Sequence, residues 1–418
     1  MKILLITRLM SGFEASLKRK VWEPTGSVAI ARMIEKLAED PSVELSLIMT
    51  RAFSRDKWAT YEPAGHKKTY KISGLGTDVH VLAAKPLLRL PSRLAFLWVE
   101  LCHLISVLLT VWQKRPDIIY LERSNWLIAG VLARVTRRPI FLRMLGIPPD
   151  MWRIGETNAL FNLLMRWAFR APFAHVLCTE DGSAGTAWMS KFLNSAIPRT
   201  TALNGVGNGN WESNQNELVE SADQLKVVFV GRVEALKGAD FFVKALLSIP
   251  KEKRIGIHVV IVGGGALLED LKSDVRASGA DNFVHFTGSV PSSEVEATLK
   301  SADLYVSLNK QGHLSNANLE AVAFGIPVMI KELNRDFEPL GGIDCILPRD
   351  SLLVLPASAE PEELGSFLVS LSQDKVKLSK LGDEVRKARD EKLVTWEERV
   401  NQEIKLLREL ASEGKGND

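Results

Sequence analysis

The stretch "VVFVGRVEALKGADFFVKAL", Val227 to Leu246, decides how the rest of the chain is read. Val227–Val230 is an unbroken apolar run, the pattern of a strand buried on both faces of a parallel sheet. Gly231 closes that run and Gly238 opens an amphipathic one, so the order is strand, tight turn, helix. Two cations, Arg232 and Lys237, stand in the turn. A turn has no need of them. In an open parallel sheet, ligands bind beyond the carboxyl ends of the strands, where loops lead into helix N-termini. Amides there attract anions and an arginine grips oxygens in a fork, so the pair points to a phosphate-bearing ligand. The alternative is a pair of solvated surface cations.

The same alternation of short apolar runs and longer amphipathic segments spreads outward from this stretch. In the first half, strands are expected at 2–7, 43–50, 78–84, 117–122, 139–144 and 175–180. In the second half they are expected at 225–231, 257–263, 283–288, 302–308, 327–330 and 351–355. The fold class implied is α/β, with two tandem Rossmann-like doubly wound domains. The Gly- and Asn-rich segment 203–217 is the natural linker. The expected division is 1–205, 206–392, a crossover helix at 393–410 that returns to the first domain, and a frayed tail at 411–418. At 418 residues the chain is long enough for two cores.

Composition narrows the class. Apolar residues make up 46% and charged residues 25%, as in ordinary globular chains. Cys102, Cys178 and Cys345 lie far apart, without metal-type spacing or a disulfide framework, which suits a reducing cytosol. The opening "MKILLIT" reads as a buried strand rather than a secretory signal. Net charge is only +3, yet residues 1–200 carry 28 Lys and Arg against 16 Asp and Glu, and the remainder 25 against 34. A basic first half suits an anionic membrane surface or a phosphorylated acceptor; solvated helix faces are the plainer account.

The segment "RLAFLWVELCHLISVLLTVWQKRPD" (93–117) is apolar from Leu94 to Trp112, close to spanning length. Glu100 and His103 interrupt it and a strand follows at once, which favours a crossover helix over a transmembrane span. A helix lying on a membrane is the third reading, with Lys85, Arg89 and Arg93 before it and Lys114 and Arg115 after.

Other strand ends carry candidate ligand groups. Gly263, Gly264 and Gly265 follow a strand and let a ligand, or simply a tight turn, approach the main chain. In "NKQGHLSNANLEAVAFGIPVMI" (309–330), Leu314, Ser315 and Asn316 supply amides near a helix start. Glu320 is expected in the first turn of a helix from Ala317 to Phe324. It complements the helix dipole or accepts hydrogen bonds from vicinal hydroxyls. Gly26 and Ser27 precede a helix in the first half, as a structural loop or as amides near a ligand.

Together "FVGRVEALKGADFFVKAL", "VGGG", "VHFTGSV", "SADLYVSL" and "NLEAVAFGIPVMI" resemble the glycosyl transferases group 1 family. These are retaining enzymes of the GT-B architecture, and the sucrose-synthase and mannosyltransferase-like branch is the most similar. The resemblance extends over most of residues 175–400, through "LCTEDGS", "LNGVGN" and the closing "TWEERV". It implies two domains facing a central cleft. It gives Arg232 and Lys237 the donor diphosphate and Glu320 the donor ribose. Gly231, Gly264 and Gly265 line the nucleotide pocket, and the base rests near His285 and Phe286. Leu314, Ser315 and Asn316 replace, through main-chain amides, a glutamate that falls on Gly312. The family's sugar-side histidine falls on Leu145, which leaves Glu122, Arg123 and Arg143 as candidates beside the sugar or acceptor.

The chemistry so implied is transfer of a sugar from a nucleotide-diphosphate sugar to a lipid-linked or oligosaccharide acceptor, with retention, in cell-surface polysaccharide or glycolipid synthesis. No Asp-x-Asp pair occurs in the chain, so fixed cations rather than a metal are expected to meet the leaving diphosphate. Neither a metal, another cofactor nor a nucleic-acid partner is expected. The location implied is cytoplasmic, peripheral on the inner face of the membrane. A nucleotide-sugar epimerase of the same architecture and a non-catalytic, nucleotide-sugar-binding partner subunit are the rival readings.

Overall fold

The computed structural model describes residues 1–24, 26–52, 67–84, 91–156, 159–207, 224–335 and 338–415. Two compact units are formed, Met1–Thr179 with Gly185–Ala202 and Glu397–Asp418, and Glu180–Ala184 with Leu203–Trp396.

In the first unit, β1 (Lys2–Arg8), β2 (Glu44–Thr50), β3 (Lys67–Tyr70), β4 (Val79–Leu82), β5 (Ile118–Glu122), β6 (Ile140–Met144), β7 (His175–Thr179) and β8 (Arg199–Ala202) make an eight-stranded sheet. Its order is β3-β4-β2-β1-β5-β6-β7-β8, parallel throughout except for β3 against β4. Helices α1 (Ser11–Arg19), α2 (Val28–Glu39), α3 (Ser92–Lys114), α4 (Trp126–Val135), α5 (Pro149–Trp152), α6 (Leu160–Phe169) and α7 (Gly185–Phe192) belong to this unit. Side chains alternate across the sheet as strand geometry requires. Leu4, Ile6, Leu121 and Leu142 pack with Val107 of α3, Leu132 of α4 and Ala168 of α6. Ile3, Leu5, Tyr120 and Phe141 pack with Ile34 of α2 and with Val400, Ile404 and Leu407.

In the second unit, β9 (Leu225–Val230), β10 (Ile257–Val262), β11 (Val284–Gly288), β12 (Leu304–Ser307), β13 (Val328–Lys331) and β14 (Leu353–Leu355) form a parallel sheet in order β11-β10-β9-β12-β13-β14. Its helices are α8 (Ala239–Leu247), α9 (Leu268–Ala277), α10 (Ser292–Lys300), α11 (Asn316–Ala323), α12 (Pro361–Ser372) and α13 (Lys375–Lys392). Helix α14 (Trp396–Lys415) closes the described chain.

Every strand expected from an apolar run is present. Strands β3 and β8 are additional, since "KKTY" and "RTTA" lie at sheet edges and need no apolar face. The boundary at Ala202–Leu203 falls at the start of the expected linker, whose residues 208–217 lie outside the described ones. Helix α14 belongs to the first unit from Glu397 onward. The tail expected to fray is helical through Lys415, because Ala411 is only 4% exposed and packs into the core. Residues Glu180–Ala184 belong with the second unit, which the sequence did not suggest. The main chain of Gly182 lies so close to Gly341 that a Cβ there would come within 1.8 Å of the Gly341 oxygen.

Helix α3 is long and apolar enough to cross a membrane by length and composition. Its place between β4 and β5 makes it the crossover helix. Ala95, Val99 and Val107 are buried, and Glu100 sits under it with Oε1 2.8 Å from Nη1 of Arg8. The flanking Lys85 and Arg89 lie outside the described residues.

Candidate functional site

The site is built where β9 and β12 end. The Gly231 N–H donates to the Val262 carbonyl (3.0 Å), carrying the sheet one residue beyond β9 before the chain turns. Arg232 then reaches solvent, with 65% of its side chain exposed and Nη1 3.0 Å from Oε1 of Glu234. A short 3-10 turn, Ala235–Lys237, leads into α8. Lys237 is half-buried, and among the described residues its ammonium has no hydrogen bond or ion pair. Burial pushes its pKa down, and the nearby Arg232 charge pushes the same way against Asp181 and Glu234. A desolvated cation without a bonded partner is costly to keep unless something fills the space before it.

That space is a cavity of about 230 Å³ lined by Gly231, Lys237, Ser307, Asn309, Ser315 and Asn316, with Tyr305 and Asn318 behind them. Helix α11 points its first residues into it. Ser315 is the N-cap residue but its side chain caps no amide. Its Oγ donates instead to Oδ1 of Asn318 (2.6 Å), which also accepts from the Tyr305 hydroxyl (3.2 Å). Helix N-terminal amides have no partner within their own helix. Asn318 is 1% exposed, and among the described residues its Nδ2 has no acceptor. A buried amide donor left unpaired costs about 1–3 kcal/mol, so an acceptor entering the cavity recovers that penalty. Asn204 holds Asn316 in place, donating from Nδ2 to Oδ1 at 2.7 Å.

Glu320 lies on the same helix. Because α11 begins at Asn316, Glu320 is in its second turn rather than its first, so the dipole account does not explain it. Its half-buried carboxyl has no hydrogen bond or ion pair among the described residues. Burial, helped by the charge of Glu296, pushes its pKa up to about 7. It lies near enough to the buried Tyr305 phenol to help push that pKa up, after burial itself.

The remaining expectations divide. Leu314 is 1% exposed and belongs to the core, whereas Ser315 and Asn316 line the cavity. At Gly312 a Cβ would lie 2.5 Å from the Asp181 oxygen and 2.6 Å from the Gly182 carbonyl carbon. No glutamate fits there. A Cβ at Gly263 would meet the Gly231 oxygen at 1.9 Å, and one at Gly265 the Val233 oxygen at 2.4 Å. Neighbouring main chain therefore requires glycine at 263 and 265, the Ser289 hydroxyl crowds Gly264, and Gly264 and Gly265 do not line the cavity. His285 and Phe286 point to opposite faces of β11: Phe286 packs against the core, while the exposed His285 ring sits 4.7 Å from the His258 ring.

In the first unit, Arg143 is 1% exposed and committed to structure. Its Nε lies 3.3 Å from Oε1 of Glu403 on α14, the same oxygen that accepts from the Tyr120 hydroxyl at 2.8 Å. Arg399 pairs with the other oxygen at 3.0 Å. Arg143 therefore anchors α14 and does not serve as a sugar-side group. Glu122 is also buried; its Oε1 accepts from the N–H and hydroxyl of Ser124 (3.0 and 3.1 Å), while Oε2 has no hydrogen-bond partner among the described residues. Arg123 is half-buried, with Nε unbonded. Gly26 and Ser27 both have positive φ (72° and 47°), and Gly26 is exposed with open space around it.

Sequence reasoning missed Asn318, Tyr305 and His313. The signal for Asn318 was a second asparagine in "LSNAN" on a helix whose neighbours are apolar. His313 is fully buried; Nε2 donates to the Lys331 carbonyl (2.9 Å), which leaves Nδ1 to accept from Ser307 (3.1 Å). Burial pushes its pKa down to about 4, so it is a neutral brace beneath the loop. Among the described residues no cluster of His, Cys, Asp and Glu could hold a metal ion.

Comparison with known proteins bears on this geometry. Residues 211–334 match the family model described as Glycosyl transferases group 1. An uncharacterized glycosyltransferase of Methanocaldococcus jannaschii is 28% identical over 192 residues, 46% of each chain. A GDP-mannose-dependent alpha-(1-6)-phosphatidylinositol monomannoside mannosyltransferase of Mycobacterium tuberculosis is 36% identical over 111 residues, 25% of this chain and 28% of its own. The chain thus spans less than half the length of these relatives. Among solved structures, Anabaena Alr3699/HepE in complex with UDP superposes with a TM-score of 0.66 at 16% identity, over 98% of this chain and 100% of that one. Sucrose-phosphate synthase of Thermosynechococcus elongatus gives 0.69 at 16% identity, over 99% of both. These likenesses establish the fold as two parallel-sheet α/β units of the kind found in GT-B glycosyltransferases.

Proposed function

We propose that the chain is a glycosyltransferase that takes its sugar from a nucleoside-diphosphate sugar and gives it to a lipid-linked or oligosaccharide acceptor, in cell-surface polysaccharide or glycolipid synthesis. The observation that carries the donor half of this reading is Lys237: a desolvated ammonium, unpaired among the described residues, beside an uncapped helix N-terminus. The diphosphate is the group that arrangement suits. Its oxygens face Lys237, the amides of α11 and Nδ2 of Asn318, and the exposed Arg232 closes over them from the solvent side. As the glycosidic bond to the diphosphate breaks, negative charge grows on the bridging oxygen. Fixed donors in a water-poor site stabilise that charge without having to reorganise. The role falls to Lys237, Arg232 and the helix end, which is the basis for proposing transfer without a metal. Glu320 accepts from the ribose hydroxyls, and ionises as it does so. Retention of anomeric configuration rests on the family resemblance alone.

The test is a thermal-shift series with UDP-, GDP-, ADP- and dTDP-sugars, followed by donor turnover with the best ligand. A ligand that prefers the native state raises the midpoint by mass action. The reading predicts a rise with one nucleoside-diphosphate sugar, abolished in Lys237→Ala. It fails if no such donor stabilises the wild-type chain, or if turnover survives that substitution undiminished. Turnover of the donor to an isomer without transfer would establish the epimerase instead.

A further inference from the structure

We infer that the solvent face of α3 and α6 docks on an anionic lipid surface. The exposed side chains of α3 between Leu94 and Trp112 are Leu94, Trp98, Leu101, Ile105, Leu109 and Trp112, exposed by between 39% and 73%. At the helical spacing of about 100° per residue they fall within an arc of about 80°. Opposite them lie the buried Ala95, Val99, His103 and Val107. The helix is apolar on both sides, and on one side these six large apolar side chains remain exposed. Soluble monomers rarely leave so long an apolar stripe uncovered.

Helix α6 extends the stripe. Leu160, Leu163 and Trp167 are exposed at 66%, 45% and 41%, a spacing that puts them on one helix face. The two helices touch: Phe96 and Phe161 meet edge-on at 5.8 Å, and the Arg93 guanidinium lies 5.9 Å from the Phe161 ring. With α4 they form one layer over a shared core, so their outer faces look the same way.

Charge identifies the occupant. Exposed Arg93, Lys114, Arg115, Arg134, Arg137 and Arg170 lie in these helices or within two residues of their ends. Arg134 lies 4.0 Å over the ring of Trp167, joining cation to apolar surface. The sole acid within α3, α4 and α6 is Glu100, buried and paired with Arg8. Tryptophans flanked by cations favour the boundary between acyl chains and phosphate headgroups. A second copy of this chain would set cation against cation. Because the inner side of α3 remains on its sheet, the helix lies in the interface and does not span it.

The inference stands apart from the proposed activity, since the donor cavity is in the other unit and the two can fail separately. The full-length chain is sedimented with vesicles of phosphatidylcholine, alone or mixed with phosphatidylglycerol, at low and high salt. Co-sedimentation with the anionic vesicles at low salt is expected, and weaker binding to the neutral ones. The triple variant Trp98→Ser, Ile105→Ser, Trp112→Ser changes only exposed positions and is expected to weaken binding at least tenfold, roughly what one buried aromatic is worth. Arg93→Ala, Lys114→Ala and Arg115→Ala together remove about fivefold per charge and most of the salt dependence. An unshifted melting midpoint and an unchanged thermal response to nucleotide show that each variant is folded. Failure of the wild-type chain to bind anionic vesicles overturns the inference, as does undiminished binding by both variants. So does a wild-type dimer in sedimentation velocity that the first triple variant dissolves in the absence of vesicles.

Discussion

Two groups of charged side chains, one in each unit, use nearly the same residues to opposite ends. In the first, Arg143, Arg399, Glu403 and Tyr120 close on one another. Both carboxylate oxygens are bonded, and every member is at most 5% exposed. In the second, Arg232 and Lys237 stand near each other with one carboxylate, Glu234, bound to the exposed arginine and, among the described residues, none to the half-buried lysine. A complete network spends its charge on holding elements together. An incomplete one, desolvated but open to a cavity, holds electrostatic potential for something else. Completeness, rather than residue type or position at a strand end, separates the anchor from the site.

The contrast is most easily broken at its closed end. Arg143→Ala leaves Glu403 buried with two of its three partners, a loss expected to cost about 3–5 kcal/mol. Chemical denaturation is the measurement, and donor binding in the second unit is expected to persist wherever the protein remains folded. A stability loss below about 1 kcal/mol would mean that the network is not the anchor described.

At the open end the expectation inverts. Lys237→Ala removes an unpaired, partly desolvated cation, so the melting midpoint is expected to hold or rise. Donor turnover is expected to fall by about 10²–10³-fold, the range seen on removing one preorganised charge-stabilising group. Destabilisation with unchanged turnover would assign Lys237 to the anchoring class.

The same contrast explains what was legible in the sequence. Strand positions along the chain followed from unbroken apolar runs such as "VVFV" and "ILLI", because burial on both faces leaves no room for polar residues. Edge strands β3 and β8 escaped because an edge obeys no such rule. The turn cations were legible as a pair, since a turn has no structural use for them. Arg143 was misread: a cation near a strand end looks alike whether it meets a ligand or a helix returning from the other end of the chain. Likewise Glu180–Ala184 joins the second unit through the close approach of Gly182 to Gly341, a contact between residues far apart in sequence that no local pattern records. Glu320 was singled out, but a helix beginning one residue earlier than expected put it one residue farther in, past the first turn, where burial rather than the helix dipole sets its proton affinity.

Glu320 sharpens the comparison through pH. Its carboxyl is pushed up to about 7 in the fold, whereas an unperturbed glutamate ionises near about 4.3. Between those values the folded chain holds a proton that the unfolded chain has released. The contribution is therefore fully present below the unfolded value and is lost as pH rises toward 7. Glu320→Gln is expected to flatten the stability profile across that window and to leave the variant relatively more stable at pH 8. Hydroxyl donors from a ribose favour the ionised form, so nucleotide binding below pH 7 is expected to release a proton, detectable by calorimetry in buffers of differing ionisation enthalpy. Proton release undiminished in Glu320→Gln would move that role elsewhere.

Arg232 should show the smallest effect, because it belongs to neither extreme. It is exposed and already shared with Glu234, so its charge is screened by water and salt in a way that of Lys237 is not. Arg232→Ala is expected to weaken donor binding by about tenfold at low ionic strength, the lower end for a hydrogen bond to a charged group. The deficit should shrink as salt is raised, whereas that of Lys237→Ala should not. Removing Arg232 also lifts one of the two influences that lower the Lys237 pKa, so the lysine should hold its proton to higher pH. The alkaline limb of the pH–turnover profile is expected to move upward accordingly. An unmoved limb would mean that the two cations do not share one field, and the open end of the comparison would then rest on Lys237 and the α11 amides alone.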